Sequence, residues 1–386
     1  MRGFLHSIVT VSAVCSAFTV FGVGDSGALA QEDNATIVSE AANFRIEVVT
    51  EDMDVSWAME FLPDGTALVG EREPGKLYRL DVKTGVRTLI TGLPNMLRDR
   101  KISSGLFDVR AHPNFAENNW LYIAYGVGNA EGNGLAIDRY ILSGNSLSGG
   151  ERLFEASPKI SGKWHFGGRM AFSDGYLFLT TGDGYDHSAR AQQLNSHAGK
   201  ILRLNDDGGA PSDNPFVGVE GALPEIWSFG VRNPQGLDVH PITGEVWANE
   251  HGPQGGDEVN IMRAGKNYGW PVITYGEEYG GGPIGDGITH KQGMEQPLYY
   301  WVPSIAPSGM EFYQGHAFSR WNGNLFVGAL ALTHINRLVI EGERVIHEER
   351  LLADKGWRVR FVEEGPDGYL YFGVDDGMIM RLVPVD

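Results

Sequence analysis

Residues 163–172 read KWHFGGRMAF, with His165 set just before two glycines. An imidazole has an unperturbed pKa near 6.5, so it can take up a proton at neutral pH. The same ring before a strand can equally serve as a hydrogen-bonded structural residue. Asp183, in TTGDGYD, can act as the acid partner of such a base or simply shape its glycine-rich turn. Arg358 and Arg360 are two residues apart, so on a strand they share one face. Arg232 and Asn233 stand in GVRNPQGL. In NEHGPQGGDEVN, the carboxylates Glu250, Asp257 and Glu258 surround the turn Gly252-Pro253. Carboxylates with turn carbonyls suit a hard cation such as calcium, although the spacing is not that of an EF-hand and a solvated acidic loop would look the same.

These residues are far apart in sequence, so the fold must bring them together. The chain has 386 residues, of which 53 are glycine and 9 tryptophan, which suits many short strands joined by tight turns. One phrase, strand–turn–strand, recurs six times. Its copies begin SWAMEF, GLFDVR, GGRMAF, PQGLDV, SGMEFY and RVRFVE. They are spaced by roughly 45 to 80 residues, at or above the period of a propeller blade. Turns such as Pro63-Asp64-Gly65, Ser173-Asp174-Gly175 and Pro366-Asp367-Gly368 place Pro or Asp early and Gly late. The pattern predicts an all-β, six-bladed propeller in one domain over residues 44–386, with Phe44–Thr50 completing the last blade. Two tandem sandwiches fit less well, because no linker divides the chain. In a propeller, polar residues at the ends of inner strands converge on one mouth, and His165, Asp183, Arg232, Asn233, Arg358 and Arg360 all fall at such ends. Residues 31–43 are polar and predicted to be loose.

The first thirty residues have a basic start, an apolar stretch and the ending Ala28-Leu29-Ala30, the pattern of a cleaved secretory signal peptide. The expected product is periplasmic or secreted, with no membrane span. Cys15, the single cysteine, lies in that leader. A formal charge of −18 argues against nucleic acid as a partner. It also means that an anionic ligand needs a local arginine cluster or a bound cation. GVGNAEG is not a dinucleotide loop, since its last glycine is one residue late and no βαβ unit surrounds it.

HFGGRM, EIWSFGVRNPQGLDVHP, NEHGPQGGDEVNI, GKNYGWP and GPDGYLY occur in this order between Trp57 and Leu382. Together they make the chain resemble the soluble quinoprotein glucose dehydrogenases, and more closely the bacterial soluble aldose sugar dehydrogenases that use pyrroloquinoline quinone (PQQ). The resemblance implies a six-bladed propeller that oxidises an aldose or related alcohol at C1 and passes electrons to an external acceptor. It implies His165 as catalytic base, Asp183 as its supporting acid, and Arg232 and Asn233 near the reactive carbonyls of PQQ. It implies Arg358 and Arg360 on the cofactor carboxylates and Trp301 as an aromatic neighbour. Backbone carbonyls at Gly252 and Pro253 would hold an active-site calcium, and Glu258 and Tyr268 would belong to a second, structural one. The sequence departs from that pattern at Ser103 (commonly Gln), Ala331 (commonly Lys) and Trp164 (commonly Asn). Losing the lysine implies cofactor binding weaker by roughly 1.5–3 kcal/mol. Two other readings stay open at this level: a non-catalytic propeller that binds carbohydrate or protein, and a metal-dependent lactonase.

Overall fold

The computed structural model describes residues 35–73, 75–99 and 101–385; the signal peptide expected at residues 1–30 lies outside them. Six four-stranded antiparallel sheets follow one another along the chain, the last extended by the short strand Ile37–Val38. The innermost strands are Ser56–Phe61, Leu106–Ala111, Gly167–Ser173, Pro234–Val239, Pro307–Phe312 and Val359–Glu364, and each touches the next around a closed ring. These are the six repeated phrases. Asn43–Thr50 pairs with Ile379–Pro384, so an N-terminal strand completes the sixth blade. Closure of this kind leaves no blade edge open between first and last. The segment expected to be loose is partly ordered. Ile37–Val38 pairs with Asn43–Phe44, and Ala41 and Ala42 pack on the apolar cluster between blades five and six. Among the described residues no helix is long and apolar enough to cross a membrane.

Second strands such as Ala67–Glu71, Val246–Glu250 and Leu370–Val374 are buried along their whole length, because neighbouring blades cover both faces. The hairpins before three of the second strands turn at Gly65, Gly175 and Gly368, with φ of +82°, +80° and +77°. This left-handed conformation favours glycine.

One irregularity is common to all six blades. The pairing of each innermost strand slips near its start, at Trp57, Phe107, Gly168-Arg169, Gln235, Ser308-Gly309 and Arg360. A bulge re-aims a side chain and frees backbone groups from the ladder. Three of the carbonyls at these positions are taken up by one buried guanidinium. Arg169 donates from Nε to Gln235 O at 2.9 Å, and from Nη1 to Trp57 O at 2.9 Å and Phe107 O at 3.4 Å. Arg169 thus ties blades one, two and four to its own blade across the channel.

The opposite mouth of the channel carries Glu60, Asp238, Glu311 and Glu363 around Arg110, each the fifth residue of its inner strand. Arg110 Nη1 lies 2.8 Å from Glu60 and 3.2 Å from Glu363. Burial, with the neighbouring carboxylates, pushes Glu363 up to about 8, Asp238 up to about 6, and Glu60 and Glu311 above the usual range. Acids with raised folded-state pKa values bind more protons folded than unfolded, so they favour the fold at low pH. Their contribution is fully present below about pH 4, the unfolded carboxylate range, and is lost as pH rises toward 8. We expect the urea midpoint to fall over this window, and the Glu311→Gln variant to show a shallower fall with a higher midpoint at pH 8.

Candidate active site

His165 sits in the connection that leads into the inner strand of blade three, at a φ of +58°, a backbone conformation uncommon for a side-chain-bearing residue. Residues held this way persist where the surroundings over-determine them. Here the His165 carbonyl accepts from Gly184 N at 3.3 Å, and a Cβ at Gly182 would stand 2.0 Å from that same oxygen. Glycine at 182 is therefore what lets the two segments touch. Their closeness brings His165 Nδ1 within 2.7 Å of Asp183 Oδ1.

Asp183 is fully buried and held on every side. Tyr185 N donates to Oδ1 and Trp270 Nε1 to Oδ2, both at 2.8 Å, while Asp183 N donates to Arg232 O at 2.8 Å. An ionised carboxylate only accepts, so the proton on the imidazole lies at Nδ1 and Nε2 is left as an acceptor. Burial pushes the His165 pKa below its ordinary value, and Arg232 adds to that; Asp183 pulls the other way. The ring is neutral at pH 7.

His165 opens on a cavity of about 210 Å³ at this end of the channel. Four of the bulged residues, Trp57, Phe107, Gln235 and Arg360, line it, with Asn233, His251, Arg72 and Arg358. Asp375 joins the last arginines. It accepts from Arg358 Nε at 2.9 Å, and from Arg360 Nε and Nη2 at 2.9 and 2.8 Å. Burial pushes Arg360 down to about 10. His251 Nε2 donates to Pro307 O at 2.7 Å, and burial, helped by Arg232, pushes this imidazole down to about 3. It too is neutral, with Nδ1 as the free acceptor.

Arg232 approaches the acidic turn directly, donating from Nη1 to His251 O at 3.0 Å and Gly252 O at 2.9 Å. Asp257 caps the turn from behind, accepting from Gly252 N at 2.8 Å and from Ser304, Ile305 and Ala306. Its oxygens face the backbone rather than open space. The turn therefore offers a cation two carbonyl oxygens, one already sharing a guanidinium. Calcium takes six to eight oxygens, so this turn fits it only in company with an anionic ligand and water. Glu258 lies directly across the strand pair from Glu250, both buried. Burial, with Asp257 adding to it, pushes Glu258 up to about 7, and burial together with the Glu258 charge pushes Glu250 well above its usual range. That pair fits a structural cation. Among the described residues no three His, Cys, Asp or Glu side chains converge on one point.

Two expected site residues are placed elsewhere. Trp301 lies on the outermost strand of blade four, 3 % exposed, with Nε1 donating to Glu348 at 3.2 Å. An aromatic on an outer strand packs between blades, here with Trp247 and Ile305, and cannot reach the channel. The Tyr268 side chain is buried in another apolar cluster, with its hydroxyl bonded to Ile261 O and to Arg263 N. Ile261 is three residues along the strand from Glu258, or about 10 Å at the usual rise. Trp270, which bonds Asp183, and Trp57, which lines the cavity, are indoles at the site. Trp57, Arg72, Phe107, Gln235, His251, Trp270 and Asp375 were not expected there.

The match to the glucose/sorbosone dehydrogenase family model runs over residues 53–381, nearly all of the propeller. The chain belongs to the glucose/sorbosone dehydrogenase family. It is 38 % identical to the aldose sugar dehydrogenase YliI of Escherichia coli over 350 residues, 89 % of this chain and 94 % of that protein. The structure of the soluble E. coli aldose sugar dehydrogenase in its apo-form superposes with a TM-score of 0.84 at 38 % identity, covering 89 % of this chain and all of that one. A PQQ-bound aldose sugar dehydrogenase from Streptomyces coelicolor superposes with a TM-score of 0.72 at 26 % identity, covering 89 % of this chain and 98 % of that one. The six-bladed propeller is thus shared by the family members compared, and His165 and Asp183 lie within the matched region.

Proposed function

We propose that this glucose/sorbosone dehydrogenase family member is a PQQ- and calcium-dependent dehydrogenase that oxidises an aldose, or a related alcohol, at its C1 hydroxyl. The observation that carries this reading is His165, hydrogen-bonded to Asp183, opening on a cavity ringed by arginines. When bound, PQQ supplies a quinone carbonyl that accepts the hydride and an anionic body that needs cationic partners. Arg358 and Arg360, which line the cavity, and Arg232, beside it, would meet that body, and arginine suits planar carboxylates. The Gly252 and Pro253 carbonyls would hold calcium there as a Lewis acid.

The chain's own chemistry is proton removal. A sugar hydroxyl donating to His165 Nε2 gives up its proton as the C1 hydride leaves, so a neutral ring is the working form. The imidazolium that results is then stabilised by Asp183 through Nδ1. Asp183 fixes the tautomer beforehand, as an orienting carboxylate does in hydrolytic triads. At the rim, Trp164 is 46 % exposed and stands edge-on to Tyr185 at 4.9 Å, and Tyr185 is edge-on to His165 at 5.0 Å. These rings offer apolar faces to a sugar beside the base. Electrons leave to an external acceptor, and the expected export places the enzyme in the periplasm or outside the cell.

A lactonase would need carboxylate and imidazole side chains grouped about one cation, and the described residues hold no such group. The test is to load the purified protein with PQQ and calcium and follow sugar-dependent dye reduction over an aldose panel. Turnover that needs both additions supports the reading. Lack of turnover together with lack of a PQQ absorbance change on adding sugar would sink it.

A further inference from the structure

The cavity holds more positive charge than the reading above uses. Arg358 and Arg360 share one carboxylate, Asp375. A third guanidinium, Arg72, lines the same cavity from the end of the second strand of blade one. Its nearest carboxylate is Glu73 at 3.5 Å, on a side chain 45 % exposed. A surface pair of that kind is worth little. Its Nε is buried and lacks a hydrogen-bond partner. Unmade bonds of buried donors are costly, and more so for charged groups.

Trp57 fixes where this charge sits. The guanidinium carbons of Arg72 and Arg360 each lie 4.2 Å from the centroid of the Trp57 ring. Cations over an indole face are attracted by its quadrupole. The indole thus gathers two like charges that water would otherwise separate. Three guanidiniums face Asp375 and the half-exposed Glu73, so this end of the channel keeps a positive excess in a chain whose formal charge is −18. A rigid ligand with several carboxylates would offset that excess by pairing with the partly exposed Arg72 guanidinium. PQQ, a planar tricarboxylate, has this chemistry, and the inference rests on the PQQ reading.

We propose that Arg72 is a third anion-holding arginine of the cavity, taking a cofactor carboxylate that Arg358 and Arg360 leave free, with Trp57 as the plate that positions it.

Binding, rather than turnover, is the readout. PQQ is titrated into the unloaded protein and followed by quenching of tryptophan fluorescence, for wild type, Arg72→Met and Arg72→Gln. A lost charge-assisted contact predicts affinity weaker by about 10- to 100-fold in both variants. In parallel, wild type is labelled with phenylglyoxal, and modification at Arg72 is read by peptide mass with and without PQQ. Protection of Arg72 by PQQ is expected, and this arm stands even if both variants fail to fold. Wild-type affinity in the variants, with unchanged labelling at Arg72, overturns the role of Arg72 and leaves the PQQ reading intact. A wild type that takes up no PQQ overturns both.

Discussion

Replacing His165 by Gln is expected to lower sugar-dependent turnover of the PQQ- and calcium-loaded protein by about 10²- to 10⁴-fold, the range of a lost general base. Glutamine keeps a polar side chain of similar reach but cannot accept a proton at neutral pH. PQQ affinity should change little, because the arginines proposed to meet the cofactor are untouched. Asp183→Asn probes the other half of the pair. An amide that presents its NH₂ to Nδ1 forces the proton to Nε2, leaving the wrong tautomer toward the sugar. The sign of the pH dependence follows from the same geometry. His165 lies below its ordinary pKa through burial and Arg232, so activity should hold across neutral pH and fall only on the acid side. Asp183→Asn removes the partner that raises the His165 pKa, so the acid limb should move to still lower pH. Steady-state kinetics from pH 4.5 to 8 check both statements. A His165→Gln variant with near-wild-type kcat would remove the imidazole from the chemistry.

Features of each blade that are local in sequence are legible there, and features that depend on the register between blades are not. The hairpins were visible because the strand–turn–strand phrase is a local signal that recurs six times, and in blades one, three and six an Asp–Gly turn marks it. Glu250, Asp183 and the Arg358/Arg360 pair were visible because they are charged residues at strand ends. Trp57, Phe107 and Gln235 were not, because nothing in their types distinguishes them from packing residues. They become a set only when the six phrases are laid in register. Each is the second residue of its inner strand, as is Arg360. A second column lies just past the second strands, where Arg72, His251 and Asp375 stand. The bulges that turn the first column toward the cavity leave no mark in composition. Trp301 failed for the converse reason: its aromatic type suits a cofactor neighbour, but its place on a fourth strand keeps it from the axis. Tyr268 shows the same limit, since a side chain's position along the sequence does not say which end of a sheet it serves.

That register makes Arg169 the position where fold and site depend on one side chain. Its guanidinium accounts for the carbonyls of Trp57, Phe107 and Gln235, three cavity-lining residues on three blades. It is 4 % exposed, and burial pushes its pKa below the usual arginine value. Asp108, fully buried 4.0 Å away, supplies an opposite charge. Arg169→Met keeps the length of the stem and removes every donor. Three buried carbonyls then lose their partner, and Asp108 loses a neighbouring cation. Each unsatisfied group costs on the order of 1–3 kcal/mol, and breaking a buried charge arrangement about 3–5 kcal/mol. With incomplete additivity, we expect a loss of about 3–5 kcal/mol, or roughly 4–7 °C in the thermal midpoint of a chain this size. The bulged segments would also relax out of register, so PQQ affinity should fall although Arg169 does not line the cavity. Arg169→Lys supplies the contrast, since one ammonium can reach one or two carbonyls but cannot span three blades. Calorimetry and PQQ titration on the two variants separate the outcomes. A Met variant that melts like wild type would show that the three carbonyls find other partners and that the bulges need no common anchor.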